Sequence, residues 1–370
     1  MSAWRFAAAP ISDAALAGVN HFHPIRLVAA LLVLFAHAFH LLDRAGDEPI
    51  GRWFTSIDAS LIGVTTFFFI SGFLVARSWD ARRSLAGFVA ARVLRIVPAL
   101  WLALLVTVLV IGPISTTLPL AGYFGDSATW KYLGLNALLR PQYLLPGVFE
   151  SNPLPGVNGS LWTIPLEATC YAVLGIAGWT ALLSGPAVAL VTRFRQSPVR
   201  FIALATGGSA IAVKIAITSP TYAGLALEFL LGAIVYRYRD RIRLDPAIAL
   251  VSMIVCIATA RLAWPFVAPG AWPGVGAALT SVVLPYALLT LALHPAGSTR
   301  ATWLHRHDYS YGTYLYGFPV QQATIALGVR DPWTLLVIGV PASLALAALS
   351  WHLVERRALA LKKRASRVQA

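Results

Sequence analysis

The sequence predicts an all-α integral membrane protein, a bundle of about ten transmembrane helices with both termini in the cytoplasm. Three observations carry that prediction. The 370 residues are 58% hydrophobic and only 12% charged, far too apolar for a water-soluble domain of this length. Apolar runs long enough to span a bilayer, at ~20 residues each, recur from end to end. The basic residues segregate between alternate connections of those runs, which sets an orientation.

The runs fall at about 25–43, 57–76, 94–117, 161–184, 201–218, 221–236, 247–264, 273–293, 309–328 and 333–354, with a short pair meeting at Ser219-Pro220. With the N-terminus inside, 22 of the 29 Lys and Arg residues are cytoplasmic, including Arg92, Arg95 and the basic tail from Arg356 to Arg367. Arg44, Arg52, Lys131, Arg140, Arg261 and Arg330 are outside, and Lys214 falls within a run. The net charge of +14 is therefore mainly topological and does not mark a nucleic-acid binder. Residues 1–23 lack the apolar core of a signal peptide and read as a cytoplasmic segment that is not cleaved. Residues 24–357 read as a single transmembrane domain. Residues 358–370 read as a basic tail suited to anionic lipid. The stretch from Leu118 to Ser160, rich in Pro, Gly, Tyr and Asn, is an outer loop long enough to carry function or pack as a lid. Cys170 and Cys256 lie in apolar runs and suggest neither a disulfide framework nor a metal site.

Ionisable groups inside these runs are costly and call for a partner or a task. In RLVAALLVLFAHAFH, Arg26, Ala29, Val33 and His37 share one helical face. At ~1.5 Å per residue, Arg26 and His37 stand roughly 16 Å apart, one at the cytoplasmic mouth and one near the midplane. His37 reads either as a core histidine bonded to a neighbouring helix or as a general base; Arg26 alone reads as an interfacial anchor. In GSLWTIPLEATCY, Glu167 enters an apolar helix between Trp162 and Tyr171, and His37 is a candidate partner for it. The alternative is a structural pairing of Glu167 with Lys214 or an arginine. RVLRIVPALW places Arg92 and Arg95 on one turn, where they mark topology, meet lipid phosphates, or bind a phosphorylated cosubstrate from the cytosol. In FFFISGFL, Ser71-Gly72 permits close helix contact. In HDYSYGTYLYGFPV, Ser310 and Tyr311 either bind a ligand or satisfy each other.

Taken in order, these motifs resemble the acyltransferase-3 family of integral membrane acyltransferases. The offsets of Arg26, Ala29, Val33 and His37 match its pattern, as do FFFISGFL, RVLRIVP, SLWTIPLEATCY, EFLLGAIVYR, SYGTYLYGFPV and SWHLVERR, from about Pro24 to Arg357. The resemblance implies a ten-helix bundle in the inner (cytoplasmic) membrane. It would pass an acyl group, usually acetyl from cytosolic acetyl-CoA, to a hydroxyl of an extracytoplasmic or lipid-linked glycan. His37 would be the base or transient acyl carrier, with Arg26 orienting the donor. Arg92 and Arg95 would meet the CoA phosphates and Glu167 would be the supporting acid. Ser71, Trp162, Tyr171, Ser310 and Tyr311 would surround them. The chain departs from the family in reading Tyr316-Gly317 where a histidine is frequent, and in Arg356-Arg357 after Glu355. No fused extracytoplasmic esterase-like domain is expected, so the chain would deliver the acyl group itself or hand it to a separate partner.

A transporter or flippase of lipid-linked sugar is the rival reading, because buried Arg, His and Glu also line substrate pathways. It calls for repeated halves or paired broken helices, and the sequence shows neither. A non-catalytic scaffold leaves Arg26, His37 and Glu167 unexplained. No phosphate-binding glycine loop, dinucleotide fingerprint or HExxH pair is present, and no metal is expected; His21, His23, His305 and His307 read as interfacial.

Overall fold

The computed structural model describes residues 9–11, 15–16, 18–54, 57–82, 84–183, 220–262, 272–293 and 303–361. The main helices among them are α1 (Phe22–His40), α2 (Ala59–Arg82), α3 (Leu85–Val106), α4 (Thr163–Leu183), α5 (Pro220–Arg237), α6 (Pro246–Leu262), α7 (Trp272–Leu293), α8 (Ser310–Ala326) and α9 (Pro332–Ser350). They correspond to all the expected runs except 201–218, which lies outside the described residues. Among the described residues, five helical stretches are long and apolar enough to cross a membrane: Phe22–His40, Ala59–Arg82, Leu85–Ser115, Gly159–Thr180 and Pro332–Leu361.

Two boundaries differ instructively from the apolar runs. α3 begins at Leu85 and not near 94, so Arg92 and Arg95 sit about two to three turns inside the helix. The intervening LAGFVAAR is rich in good helix formers, and the arginines interrupt only the hydropathy, not the helix. α2 likewise runs on through ARSWDAR to Arg82.

The chain forms two compact units interleaved along the sequence. The first comprises Met1–Phe67, Val97–Trp162 and Arg239–Arg357. Its core is α8 packed on α1 and α9, where Phe39, Leu42, Phe318, Ile325 and Leu335 cluster. α8 is buried on nearly every side, as a helix surrounded by protein must be, and its polar residues find partners. Gln321 Nε2 donates to the Leu34 carbonyl at 2.9 Å, and Tyr314 OH donates to the Ser160 carbonyl at 3.0 Å. The 118–160 region packs down as a lid on this helix. Asn152 Nδ2 donates to the Gln322 side-chain oxygen at 2.8 Å, and Asn158 Nδ2 donates to the Leu315 carbonyl at 2.9 Å. In the same unit, strand β1 (Ala9–Pro10) pairs antiparallel with β2 (Arg243–Leu244).

The second unit comprises Phe68–Ile96, Thr163–Tyr238 and Ala358–Ala370. α2 and α5 touch backbone to backbone here. A Cβ on Gly72 would overlap the Phe229 carbonyl, and one on Gly232 would overlap the Phe69 carbonyl, so glycine at both positions sets the helix spacing. Trp79 meets Phe88 edge-on at 5.3 Å and fastens α2 to α3.

Candidate active site

In the first unit the site begins on α1. Arg26 Nη1 lies 2.8 Å from Asp308 Oδ2, and the two side chains are only 12% and 4% exposed. Asp308 is fixed in turn by Ser310, whose hydroxyl and backbone N–H both donate to Oδ1. The Phe67 ring lies beneath the guanidinium at 5.7 Å. Arg26 is thus a rigid, buried cation, and its Nε has no partner among the described residues. Three turns further along, His37 meets Phe318 edge-on at 5.2 Å. Its Nδ1 is buried and has no hydrogen-bond partner among the described residues. Such a nitrogen is expensive to keep in a protein interior without a use.

One turn beyond His37, His40 Nε2 stands 3.2 Å from Asp58 Oδ2. Near the start of α1, His305 and His21 share a ring-to-ring hydrogen bond of 2.8 Å. Burial first, then the charge of His305, lowers the pKa of His21. Ser310 and Tyr311 are both buried, and Ser310 is satisfied by Asp308. Trp162 closes the short 3-10 turn Gly159–Trp162 that leads to α4.

In the second unit Glu167 is held by two neutral donors. Ser71 Oγ donates to Oε1 at 3.0 Å, and the Tyr171 hydroxyl donates to the same oxygen. The Tyr171 ring lies under the Arg92 guanidinium at 5.5 Å, with Phe88 at 5.9 Å. Arg92 Nη2 and Arg82 Nη1 both donate to the Ser78 hydroxyl, at 3.2 and 2.6 Å. Arg95 stands one turn on from Arg92, half-buried. Two arginines therefore converge on one serine, with Arg95 a turn away.

Each unit gathers part of the expected set. Arg26, His37, Ser310 and Tyr311 fall in the first, with Trp162; Ser71, Glu167, Tyr171, Arg92 and Arg95 fall in the second. The expected pairing of Glu167 with His37 joins residues of different units, while Glu167 has its partners Ser71 and Tyr171 within its own. Sequence reading missed Asp308, Arg82 and the His40–Asp58 pair. Asp308 was legible as an acid two residues before Ser310 in HDYS, at the same predicted membrane face as Arg26. Arg82 was hidden by the expectation that α2 ends earlier.

An acyltransferase domain family matches residues 24–352, which takes in all of these side chains but His21 and runs through both units. The chain belongs to the acyltransferase-3 family. It is similar to an O-acetyl transferase of Shigella phage Sf6, 30% identical over 344 residues, 92% of this chain and 96% of that protein. It is also similar to nodulation protein 10 of Rhizobium leguminosarum bv. viciae, 30% identical over 361 residues, 93% of this chain and 94% of that protein. No solved structure matches the chain. This acyltransferase is a helical membrane protein, and the buried Arg–His face of α1 lies near the start of its matched domain.

Proposed function

We propose that this acyltransferase moves an acetyl group from cytosolic acetyl-CoA to a hydroxyl of an extracytoplasmic or lipid-linked glycan, within the inner membrane. The observation that carries the reading is the buried Nδ1 of His37, without a hydrogen-bond partner among the described residues, on the same helix as the fixed cation Arg26. An imidazole in that state is equipped to take a proton or an acyl group. Arg92 and Arg95, with Arg82, suit the phosphates of the coenzyme, because guanidinium groups bind phosphate oxygens by charge-assisted hydrogen bonds. Arg26 would orient the thioester end of the donor, and Glu167 would support the transfer with Ser71 and Tyr171 around it. Ten spans with both termini cytoplasmic would admit the donor from one face and the acceptor from the other. The name of the phage relative supports acetyl as the acyl group. The acceptor would be a surface sugar, reached directly or through a separate extracytoplasmic partner, and no metal takes part.

The test uses purified, detergent-solubilised protein and measures acetyl-CoA binding and CoA release, wild type against His37→Ala. Binding in both with release only in the wild type is expected. Full release by His37→Ala would remove the histidine from the chemistry. Binding in neither, with the protein shown to be folded, would bring the lipid-linked-sugar transporter forward. Arg92→Ala combined with Arg95→Ala is expected to weaken donor affinity more than turnover.

A further inference from the structure

α1 carries a second histidine that this chemistry does not use. His40 follows His37 by three residues, so the two side chains are neighbours on one helical face. Its Nε2 is 3.2 Å from Asp58 Oδ2, and the side chains are 31% and 26% exposed. Asp58 divides its oxygens. Oδ1 accepts from Ser60 Oγ and from the Leu61 N–H, both at 2.8 Å, which caps the first turn of α2. Oδ2 is left for the histidine. Capping accounts for the first oxygen and not for the second, and a half-exposed ion pair contributes only about 0–1 kcal/mol to stability. A carboxylate that fixes an imidazole open to solvent is the arrangement of an oriented general base.

We propose that His40, held by Asp58, is the base that deprotonates the acceptor hydroxyl at the outer end of α1, while His37 carries the acetyl group. The proposal rests on the acetyl-transfer reading above. In the first half-reaction the His37 imidazole attacks the thioester carbonyl. A C–N bond forms, the C–S bond breaks, and the proton displaced from the imidazole goes to the thiolate, which leaves as CoA thiol. In the second, the acceptor oxygen attacks the acetyl carbon as its proton passes to His40. A C–O bond forms, the C–N bond breaks, and His40 returns that proton to the departing His37 nitrogen. Both histidines end as they began, so no further reactant is needed. Asp58 touches no reacting atom and acts as a positioning residue for His40.

The halves separate experimentally in proteoliposomes given radiolabelled acetyl-CoA, with water as the acceptor. CoA release reports the first half and acetate the second. His40→Gln is expected to keep the initial CoA release, about one per protein, and to lose acetate formation by about 100-fold. Hydroxylamine attacks an acyl-imidazole without a base and is expected to restore acetyl transfer in this variant. Asp58→Asn is expected to lower acetate turnover about 10-fold with little change in KM. The double variant should be no slower than His40→Gln, because the carboxylate acts only through the histidine. Acetate formation by His40→Gln at the wild-type rate would overturn the proposal, as would loss of the CoA release or failure of hydroxylamine to rescue. If His40→Gln does not fold, Asp58→Asn decides alone, and wild-type acetate turnover there would overturn the assignment. A wild type that binds acetyl-CoA and never releases CoA would overturn the acyl-carrier reading itself, a result visible before either variant is made.

Discussion

The two units handle their buried polar groups in opposite ways. In the first, a carboxylate faces each basic group: Arg26 is matched by Asp308, and the imidazole of His40 by Asp58. In the second, the carboxylate of Glu167 is satisfied by the hydroxyls of Ser71 and Tyr171, while Arg82 and Arg92 converge on the hydroxyl of Ser78. Neither arginine forms an ion pair among the described residues. A cation already neutralised is held in place but has less field to offer, whereas arginines held by neutral groups keep theirs for an incoming anion. Under the proposed function, the first unit would fix the geometry of the reacting helix and the second would attract the phosphorylated donor. All 8 histidines also fall in the sequence ranges of the first unit, so the groups that ordinarily titrate near neutrality are confined there.

The sharpest way to break this comparison is to remove one half of the charged pair. Asp308→Ala leaves Arg26 buried without a carboxylate and is expected to cost about 3–5 kcal/mol of stability, the usual penalty for an orphaned buried charge. Replacing Arg26 as well should recover much of that loss, and thermal unfolding in detergent measures both. A cost no larger than that of Ser71→Ala would show that the pair is not distinguished by its charge. Next in size is Ser78→Ala, which takes a shared acceptor from two guanidinium groups. Hydrogen bonds to charged groups contribute about 1.5–3 kcal/mol each, so acetyl-CoA affinity and stability should both fall. Wild-type donor affinity in this variant would mean that the arginine cluster is not the donor site. Smaller again is Tyr171→Phe, which removes one donor from Glu167 and keeps the ring beneath Arg92. About 1–1.5 kcal/mol is expected. Tyr171→Leu should cost about 0.5–1 kcal/mol more by removing the cation–π contact.

How much of this was legible beforehand follows from which physical signal each feature leaves in a sequence. Helices α4 to α9 announce themselves as apolar runs, and their observed bounds lie within a few residues of those runs. The Gly72 contact was legible because a glycine beside a serine in an apolar helix lets a neighbouring backbone approach closely. The lid over α8 was legible only as a long outer loop; its amide contacts from Asn152 and Asn158 depend on a fold that brings together residues 170 and 157 apart in sequence. The start of α3 was misplaced because hydropathy registers Arg92 and Arg95 as an end, while helix propensity does not. Asp308 was missed for a related reason. An acid at the rim of an apolar run reads as an exposed boundary residue, and nothing local says that an arginine 282 residues away will claim it.

The smallest expected effect sharpens the contrast in titration. His21 stands immediately before α1, and its ring shares a hydrogen bond with His305, whose backbone carbonyl also lies 3.1 Å from His23 Nδ1. This clasp joins the two segments that the Arg26–Asp308 pair joins a few residues further on. The pKa of His21 is lowered from its ordinary 6.5 by burial and then by the charge of His305. The unfolded chain therefore takes up its proton near pH 6.5, while the folded protein resists protonation until lower pH. His21 thus contributes stability that is present above pH 6.5 and is lost as the pH falls below it toward the folded value. Thermal unfolding of the wild type should weaken from pH 8 to pH 5, with part of that slope removed in His21→Gln, whose side chain cannot titrate. An unchanged slope in the variant would assign the pH sensitivity to another histidine of the same unit. Loss of the slope in both His21→Gln and His305→Gln would place it in the clasp between them.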